Sequence, residues 1–421
     1  ARFRMTAGMR LDEADRATLA GEAGDARRMA MELLVAVGDA IGAPGLLDIS
    51  SAHIDGCLYH GLAGLDFARK LATAGGSVSV PTTLNVSSLD LLHPGLVHAD
   101  PEDAERSRAQ MQAYESMGCR PTWTCAPYQL LDRPRLGEQI AWGESNAIVF
   151  ANSVLGARTN RYGDFLDICC ALTGRAPAAG LHTDEGRRAT ILIDVTVPDA
   201  WRDEELFYVG LGYVLGAVAG TAVAVIAGLD ERADEDRLRA LGATAASSGA
   251  VGLFHVAGVT PEAPTAEQAL GGDRPEKVIR VGTPEVETAL SRLGSSSESL
   301  GAVSVGTPHA SLREIESLAE MCAGRKTRVP FYVNTGRDVL DRAETSGAAG
   351  KVRGFGATFV TDTCTYITPI IGEVGGSVMT NSGKWAYYAP GNLGFDVVMG
   401  SLADCVESAV RGEAVSTGVS A

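Results

Sequence analysis

The sequence predicts a multi-domain α/β protein with mostly parallel sheets, and three observations carry that expectation. The chain has 421 residues, too many for one compact core, so two or three domains are expected. Glycine is abundant at 50 residues while aromatics make up 6 %, a mixture suited to tight loops between strands and helices. Short apolar runs such as "ATILIDV", "TAVAVIAG" and "RVPFYV" alternate with longer helical patterns, as parallel strands joined by crossover helices require.

The first unit, residues 1–185, opens with a charged amphipathic helix, "LDEADRATLAGEAGDARRMAMELLVAVGDAIGA". Strand-like "GLLDIS" follows and runs into the polar loop "SAHIDGCLYHG". Next come a helix ("LDFARKLATAG"), a strand ("SVSVPTTLNV") and the loop "PTWTCAPYQL" around Cys125. A helix, "GEQIAWGESNAIVFANSVLGA", then leads into the polar run "RTNRYGDF". Residues 186–295 alternate apolar strands with helices and read as a second, supporting α/β unit. Its longest apolar stretch, 206–229, raises the membrane question. Small residues and a β-branched second half make it a buried helix followed by a buried strand instead. The serine-rich stretch "SRLGSSSESLG" (291–301) reads as a linker or exposed turn.

The third unit, 296–421, is the most regular. Its strands "AVSVG", "RVPFYV" and "ATFVT" each enter a polar loop: "TPHAS", "NTGRD" and "DTCTY". In a parallel sheet the ligand site lies beyond the carboxyl ends of the strands. Thr307, His309, Asn334, Thr335, Asp362 and Cys364 are therefore expected to converge at one edge.

The formal net charge of −16 excludes binding of nucleic acid or an anionic membrane by general attraction. The leading "ARFRMTAGMRLDEADRATLAGEAG" lacks a secretory apolar region, which points to the cytoplasm. Eight cysteines in a reducing compartment are core residues, metal ligands or reactive thiols rather than a disulfide framework. Cys322 and Cys405 recur with leucine and valine at helical spacing and read as core, and Cys169 and Cys170 read as part of a buried helix. Cys57, Cys119 and Cys125 lie in loops marked by glycine or proline, and Cys364 ends a strand. No CxxC pair exists, which disfavours a zinc ribbon or a ferredoxin-type cluster. Spacing alone leaves a cysteine-bound metal, a single catalytic thiol and plain packing all open.

The strongest polar signal is the run from Glu144, Ser145 and Asn146 through Asn152 and Ser153 to Arg158, Thr159, Asn160 and Arg161. Paired arginines can hold a carboxylate or phosphate. The competing reading is a helix end whose basic residues answer the dipole. His53 and Asp55 are candidates for substrate contact, as are Thr82, Thr83 and Asn85 after an apolar strand. In "TNSGKWAYYAPGN", Ser382 precedes Lys384, which can bind an anion or cover the neighbouring rings with its stem.

Taken together, "SAHIDGCLYHG", "VPTTLNVSSLD", "GCRPTWTCAPYQL", "GEQIAWGESNAIVFANSVLGARTNRYGDF", "SVGTPHAS", "VTDTC" and "TNSGKWAYY" resemble the aconitase X family, from about residue 10 to residue 412. The wording "CAPYQ" and "NRYGDFLDIC" is closer to the branch that dehydrates cis-3-hydroxy-L-proline than to the mevalonate 5-phosphate branch. The resemblance implies an aconitase-like multi-domain α/β/α fold and a hydro-lyase with an iron–sulfur cluster, of 2Fe-2S, 3Fe-4S or 4Fe-4S type, or a mononuclear iron instead. It makes Cys125 and Cys364 metal ligands. Some family members carry cysteine where this chain has Thr307, so Cys57 is taken as the third ligand, with Cys119 in reserve. Glu144, Ser145, Asn146 and Lys384 become the catalytic candidates, and His53, Asp55, Thr82, Thr83, Asn85, Asn152, Ser153, Arg158, Thr159, Asn160, Arg161, His309 and Ser382 the substrate contacts. The chain's end at "VRGEAVSTGVSA" leads us to expect that the family's small swivelling domain is lacking and is supplied by a separate small subunit. The expected ligand is a small hydroxy acid, cis-3-hydroxy-L-proline, giving Δ1-pyrroline-2-carboxylate. The alternatives are mevalonate 5-phosphate or a related hydroxy acid, and a non-catalytic aconitase relative that binds RNA or a protein.

Overall fold

The computed structural model describes residues 9–295 and 299–415. Residues 1–8, residues 296–298 of the expected linker and the final residues 416–421 lie outside that description. The strands are β1 (Leu46–Asp48), β2 (Ala52–Ile54), β3 (Thr82–Leu84), β4 (Ala141–Trp142), β5 (Arg175–Pro177), β6 (Ile191–Val195), β7 (Ala224–Ala227), β8 (Phe254–Val256), β9 (Lys277–Val281), β10 (Leu300–Val305), β11 (Phe331–Asn334), β12 (Ala357–Val360), β13 (Ser377–Thr380) and β14 (Val397–Met399). They form sheets of order β3-β2-β4, β8-β7-β6-β9 and β12-β11-β10-β13-β14, with a small β1-β5 pair. Among the described residues the three larger sheets are parallel throughout, and only β1-β5 is antiparallel. The fold is therefore α/β, as expected.

Each large sheet lies in its own apolar cluster. Ile54, Leu84, Tyr114 and Ile168 pack around the first. Ile193, Ile226, Phe207 and Leu241 pack around the second, and Val303, Val333, Phe359 and Ile315 around the third. The apolar run at 206–229 resolves into the helix Glu205–Ala219 followed by β7. Its glycines serve helix packing: a Cβ on Gly212 would stand 2.3 Å from the Leu241 carbonyl oxygen of the helix Glu235–Ser248. Among the described residues no helix is long and apolar enough to cross a membrane.

Several elements depart from the expectation for physical reasons. The N-terminal helix is two, Glu13–Leu19 and Asp25–Ala40, separated by Gly24 at φ 92°. The loop "SAHIDG" begins as strand β2, buried at every residue because it is the central strand of its sheet. A helix at Pro101–Ser116 carries too few apolar residues to show a clear period, yet Pro101 sits in its first turn and Asp100 caps it through Glu102 and Asp103 N–H. The helix expected from residue 137 starts only at Ser145, after β4, and loosens to π-helical geometry over Ala151–Leu155. The third sheet also gains β13 and β14 beside β10.

Candidate active site

Cys125 and Cys364 arrive from the first and third units and place their sulfurs 4.0 Å apart. His309 joins them, so that one ligand atom from each lies within 4.8 Å of the others. All three are buried, and no cysteine forms a disulfide. Two thiolates sharing a tetrahedral metal through bonds of about 2.3 Å sit about 3.8 Å apart, so the pair fits one shared ion. Burial opposes ionisation of Cys125, but the Cys364 thiol, His309 and Lys384 outweigh it and hold Cys125 well below the usual thiol range. Cys364 is pushed up, first by burial and then by its bond to Cys125. Of the two, Cys125 ionises first.

His309 is held by all three units. Its Nδ1 lies 3.0 Å from Thr124 Oγ1 and its Nε2 3.1 Å from the Thr363 carbonyl. A carbonyl partner requires the proton on Nε2, leaving Nδ1 to accept from the threonine hydroxyl. The His309 carbonyl accepts from Gln129 Nε2 at 2.8 Å and from Arg239 at 2.9 Å. Its N–H donates to Cys125 Sγ at 3.3 Å. To ligate a metal, the ring would give up either the Thr124 hydroxyl or the Thr363 carbonyl.

Beside this group lies a buried ion pair between Lys384 and Glu144. Glu144 caps the helix Ser145–Phe150, where its carboxylate accepts Ala147 N–H at 3.1 Å and the Asn146 amide. Asn146 Nδ2 also donates to the Cys125 carbonyl at 3.0 Å, and Ser145 Oγ lies 3.5 Å from Glu144 Oε1. Lys384 rises from the first turn of the helix Gly383–Leu393, over the Tyr366 ring at 5.5 Å. Ser382 caps that helix and donates to the Thr307 carbonyl. Burial raises Glu144 against the pull of Lys384. Burial alone would lower Lys384, yet Glu144, with Tyr366 and Cys125, holds it well above the ordinary range. The pair is charged, and each member depends on the other.

Asp55 stands at the rim with its side chain half-buried, bonded to Asn85 Nδ2. Its N–H donates to Asp167 at 2.7 Å, and a Cβ on Gly143 would come within 2.7 Å of Asp55 Cβ, so glycine is required beside Glu144. Desolvation, then Glu144, Asp164 and Asp167, push the Asp55 carboxyl up to about 8. Arg161 is exposed nearby and donates to the Val251 carbonyl at 2.8 Å; desolvation of its guanidinium lowers its pKa against the opposing pull of Tyr388 and Glu144. Among the described residues, four non-glycine residues hold left-handed φ values. Trp123 (44°), Glu144 (51°) and Asp362 (62°) adjoin Cys125, Asn146 and Cys364; the fourth is Phe165. Backbone strain of this kind collects where surrounding structure fixes a functional geometry.

Other expected site residues go elsewhere. Cys57 does not join the metal group: its thiol lies against the carbonyls of Ile54, Asn85 and Val86 at 3.3–3.6 Å, and burial raises it well above the usual range. His309 takes the third place there instead of acting as a plain substrate contact. His53 is fully buried against Thr83 Oγ1 at 2.7 Å and is driven down to about 3 by desolvation, so it is a neutral core residue. Thr82 donates to the Val80 carbonyl, and Thr82 and Thr83 line a separate depression with Arg120 and Trp142.

The polar run after Phe150 locks units together rather than facing a ligand. Asn152 binds Thr159 N–H and carbonyl, the Gly252 carbonyl and Arg187, which in turn pairs with Glu262. Ser153 accepts Phe254 N–H at 2.9 Å, and Thr159 accepts Trp142 N–H at 3.1 Å. Asn160 bridges Leu181 and Ala179, and Arg158 pairs with Asp184 at 2.5 Å. Sequence reasoning assigned no site role to Thr124, Gln129, Arg239 or Thr363. Only their approach to His309 in the folded chain reveals them.

A parallel α/β scaffold buries two cysteines and a histidine, a group that could hold a metal ion, beside an internal carboxylate–ammonium pair. Sequence models of the Aconitase X first, second and third domains match residues 8–185, 189–291 and 300–411, and the chain belongs to the aconitase X family. It is 46 % identical over 412 residues to the cis-3-hydroxy-L-proline dehydratase of Pseudomonas aeruginosa, a match covering 96 % of this chain and 71 % of that protein. It is 36 % identical over 391 residues to the phosphomevalonate dehydratase large subunit of Methanothermobacter thermautotrophicus, covering 92 % of this chain and 96 % of that one. The crystal structure of aconitase X from Thermococcus kodakaraensis in its holo-form superimposes with a TM-score of 0.85 at 34 % identity, covering 95 % of this chain and 100 % of that chain. The relatives named as enzymes are dehydratases, and this chain is a hydro-lyase of the aconitase X type.

Proposed function

We propose that the chain dehydrates cis-3-hydroxy-L-proline to Δ1-pyrroline-2-carboxylate. The observation that carries this reading is the buried Cys125–Cys364–His309 group beside Glu144 and Lys384, in a chain 46 % identical to a cis-3-hydroxy-L-proline dehydratase. Cys125 and Cys364, with His309, are the residues that would hold iron, as a cluster or a single ion. Iron there would supply Lewis acidity toward the departing hydroxyl.

The chain's own groups do the rest. The reaction breaks the C–H bond at the α-carbon, whose proton passes to a base of the completing small subunit or domain, breaks the C–O bond at C3, forms a double bond between the two carbons, and releases water. The resulting enamine then tautomerises. Arg161 at the rim holds the substrate carboxylate, and the Lys384 ammonium stabilises the charge that builds as the α-proton leaves. Asp55, whose carboxyl is pushed up to about 8 and so holds its proton more tightly than an ordinary carboxyl, gives the proton that turns the departing hydroxide into water. Asn85 orients Asp55 through its amide. Asn146 and Ser145 orient Glu144, which keeps Lys384 charged.

A small subunit or domain completes the site above Arg161 and the exposed Tyr387. The naming of the archaeal relative as a large subunit supports this part of the reading. Eight unpaired cysteines agree with a reducing, cytoplasmic location.

The test uses anaerobically purified protein, with and without a co-expressed small subunit, offered cis- and trans-hydroxyproline isomers and mevalonate 5-phosphate. Loss of one water from cis-3-hydroxy-L-proline, followed by NMR, is the expected result. Turnover of mevalonate 5-phosphate alone would overturn the substrate assignment.

A further inference from the structure

Tyr128 sits on the one-turn 3-10 segment Pro127–Gln129 that follows Cys125, and it is 3 % exposed. Its ring stacks on Phe150 at 3.9 Å with an interplanar angle of 19°, and its hydroxyl donates to Asn146 Oδ1 at 2.8 Å. Phe150 and Asn146 both belong to the short helix that Glu144 caps. The tyrosine thus ties the loop carrying the Cys125 thiol to the helix carrying the carboxylate. Asn146 has both ends of its amide committed: Oδ1 to Tyr128, and Nδ2 to the Cys125 carbonyl and to Glu144. Removing the phenol leaves a buried acceptor without a donor, and the amide then gains by shifting away from the carboxylate it holds.

We infer that Tyr128 is a positioning residue for the reaction, acting through Asn146 to fix the Glu144–Lys384 pair at a set distance from the Cys125 loop. This deepens the functional reading and rests on it. Tyr128 lies outside the Cys125–His309–Cys364 group, and its contacts are to Asn146 and Phe150. Its effect comes from geometry alone, and a small misplacement of a reacting group costs up to about a hundredfold in rate.

Tyr128→Phe keeps the ring stack and removes only the hydroxyl, so the expected variant folds and loads iron like the wild type. Its kcat on cis-3-hydroxy-L-proline falls roughly ten- to hundredfold with KM changed less than about threefold. Added to Asn146→Ala, it costs nothing further, because both act through one amide. Losses that multiply in the double variant, or a wild-type kcat in Tyr128→Phe, overturn the inference. A wild-type protein that dehydrates none of the offered acids removes the functional reading instead, and a crystal structure of Tyr128→Phe then decides alone. Two conformers of Asn146 and Glu144 support the inference, and one conformer, placed as in the wild type, overturns it.

Discussion

Residues 144–146 and residues 152–160 belong to one helix and its exit, and both are polar where apolar neighbours would be expected, yet their atoms end in different places. Glu144 and Asn146 turn toward Lys384 and the Cys125 loop. Asn152 and Ser153 turn the other way and bond to backbone of the second unit, while Thr159 and Asn160 bond to backbone elsewhere in the first. The second group begins within the π-helical stretch Ala151–Leu155, which ends at Gly156 with φ 69°. Buried polarity alone therefore does not mark a site. What separates the halves is whether a buried charge remains: Glu144 faces a buried lysine, whereas Asn152, Ser153, Thr159 and Asn160 are neutral amides and hydroxyls satisfied by carbonyls and N–H groups, and Arg158 pairs outward with the exposed Asp184.

That contrast can be broken or sharpened by substitution. The largest effect is expected from Cys125→Ala or Cys364→Ala, each of which should abolish dehydratase activity and bleach visible absorbance. Full colour and turnover in either would remove that thiol from the ligand set. Next come Glu144→Gln and Lys384→Met. Each leaves a buried charge unpaired, at a cost of about 3–5 kcal/mol in denaturant unfolding, and lowers kcat by more than about a hundredfold. Asn152→Ala should lower stability as Glu144→Gln does but spare activity. It strands buried groups at roughly 1–3 kcal/mol each and lowers Tm by several degrees, while iron content and kcat stay at wild-type values.

A pH-dependent effect on stability, smaller than the cost of unpairing Glu144 or Lys384, is expected at Asp55. Its folded pKa, about 8, lies above the ordinary carboxyl value, so the native state binds more protons than the unfolded chain between about pH 4 and pH 8. Stability from this group therefore falls as pH rises through that window. Asp55→Asn, which stays neutral, should raise Tm more at pH 9 than at pH 4, and should lose the proton donor and with it most of kcat. An equal Tm difference at both pH values would show that Asp55 titrates normally. The smallest effect is expected at Cys57, where Cys57→Ser should leave iron content unchanged and kcat within about twofold, since the thiol meets only backbone carbonyls.

Much of this was legible before folding. Parallel strands at β10, β11 and β12, the helix-then-strand reading of 206–229, and the meeting of the Cys125 and Cys364 loops all followed from period, loop chemistry and family motifs. The helix Pro101–Ser116 was not, because it buries only a narrow stripe that includes Gln110 and Ser107 as well as Met111 and Tyr114. Cys57 misled because a cysteine after a glycine turn looks the same whether its sulfur meets a metal or three carbonyls. His309 was recognised as a site residue but not as a partner of the thiols, since the 4.8 Å grouping depends on three units closing around it. Pairing across such separations leaves no local trace.

The central claim is that Cys125 and Cys364 jointly hold the iron on which dehydration depends. Iron and acid-labile sulfide measured on anaerobically purified wild type, Cys125→Ser, Cys364→Ser and Cys57→Ser test it most directly. Loss of iron in the first two variants and retention in the third is the predicted result. Wild-type iron in both Cys125→Ser and Cys364→Ser would contradict it.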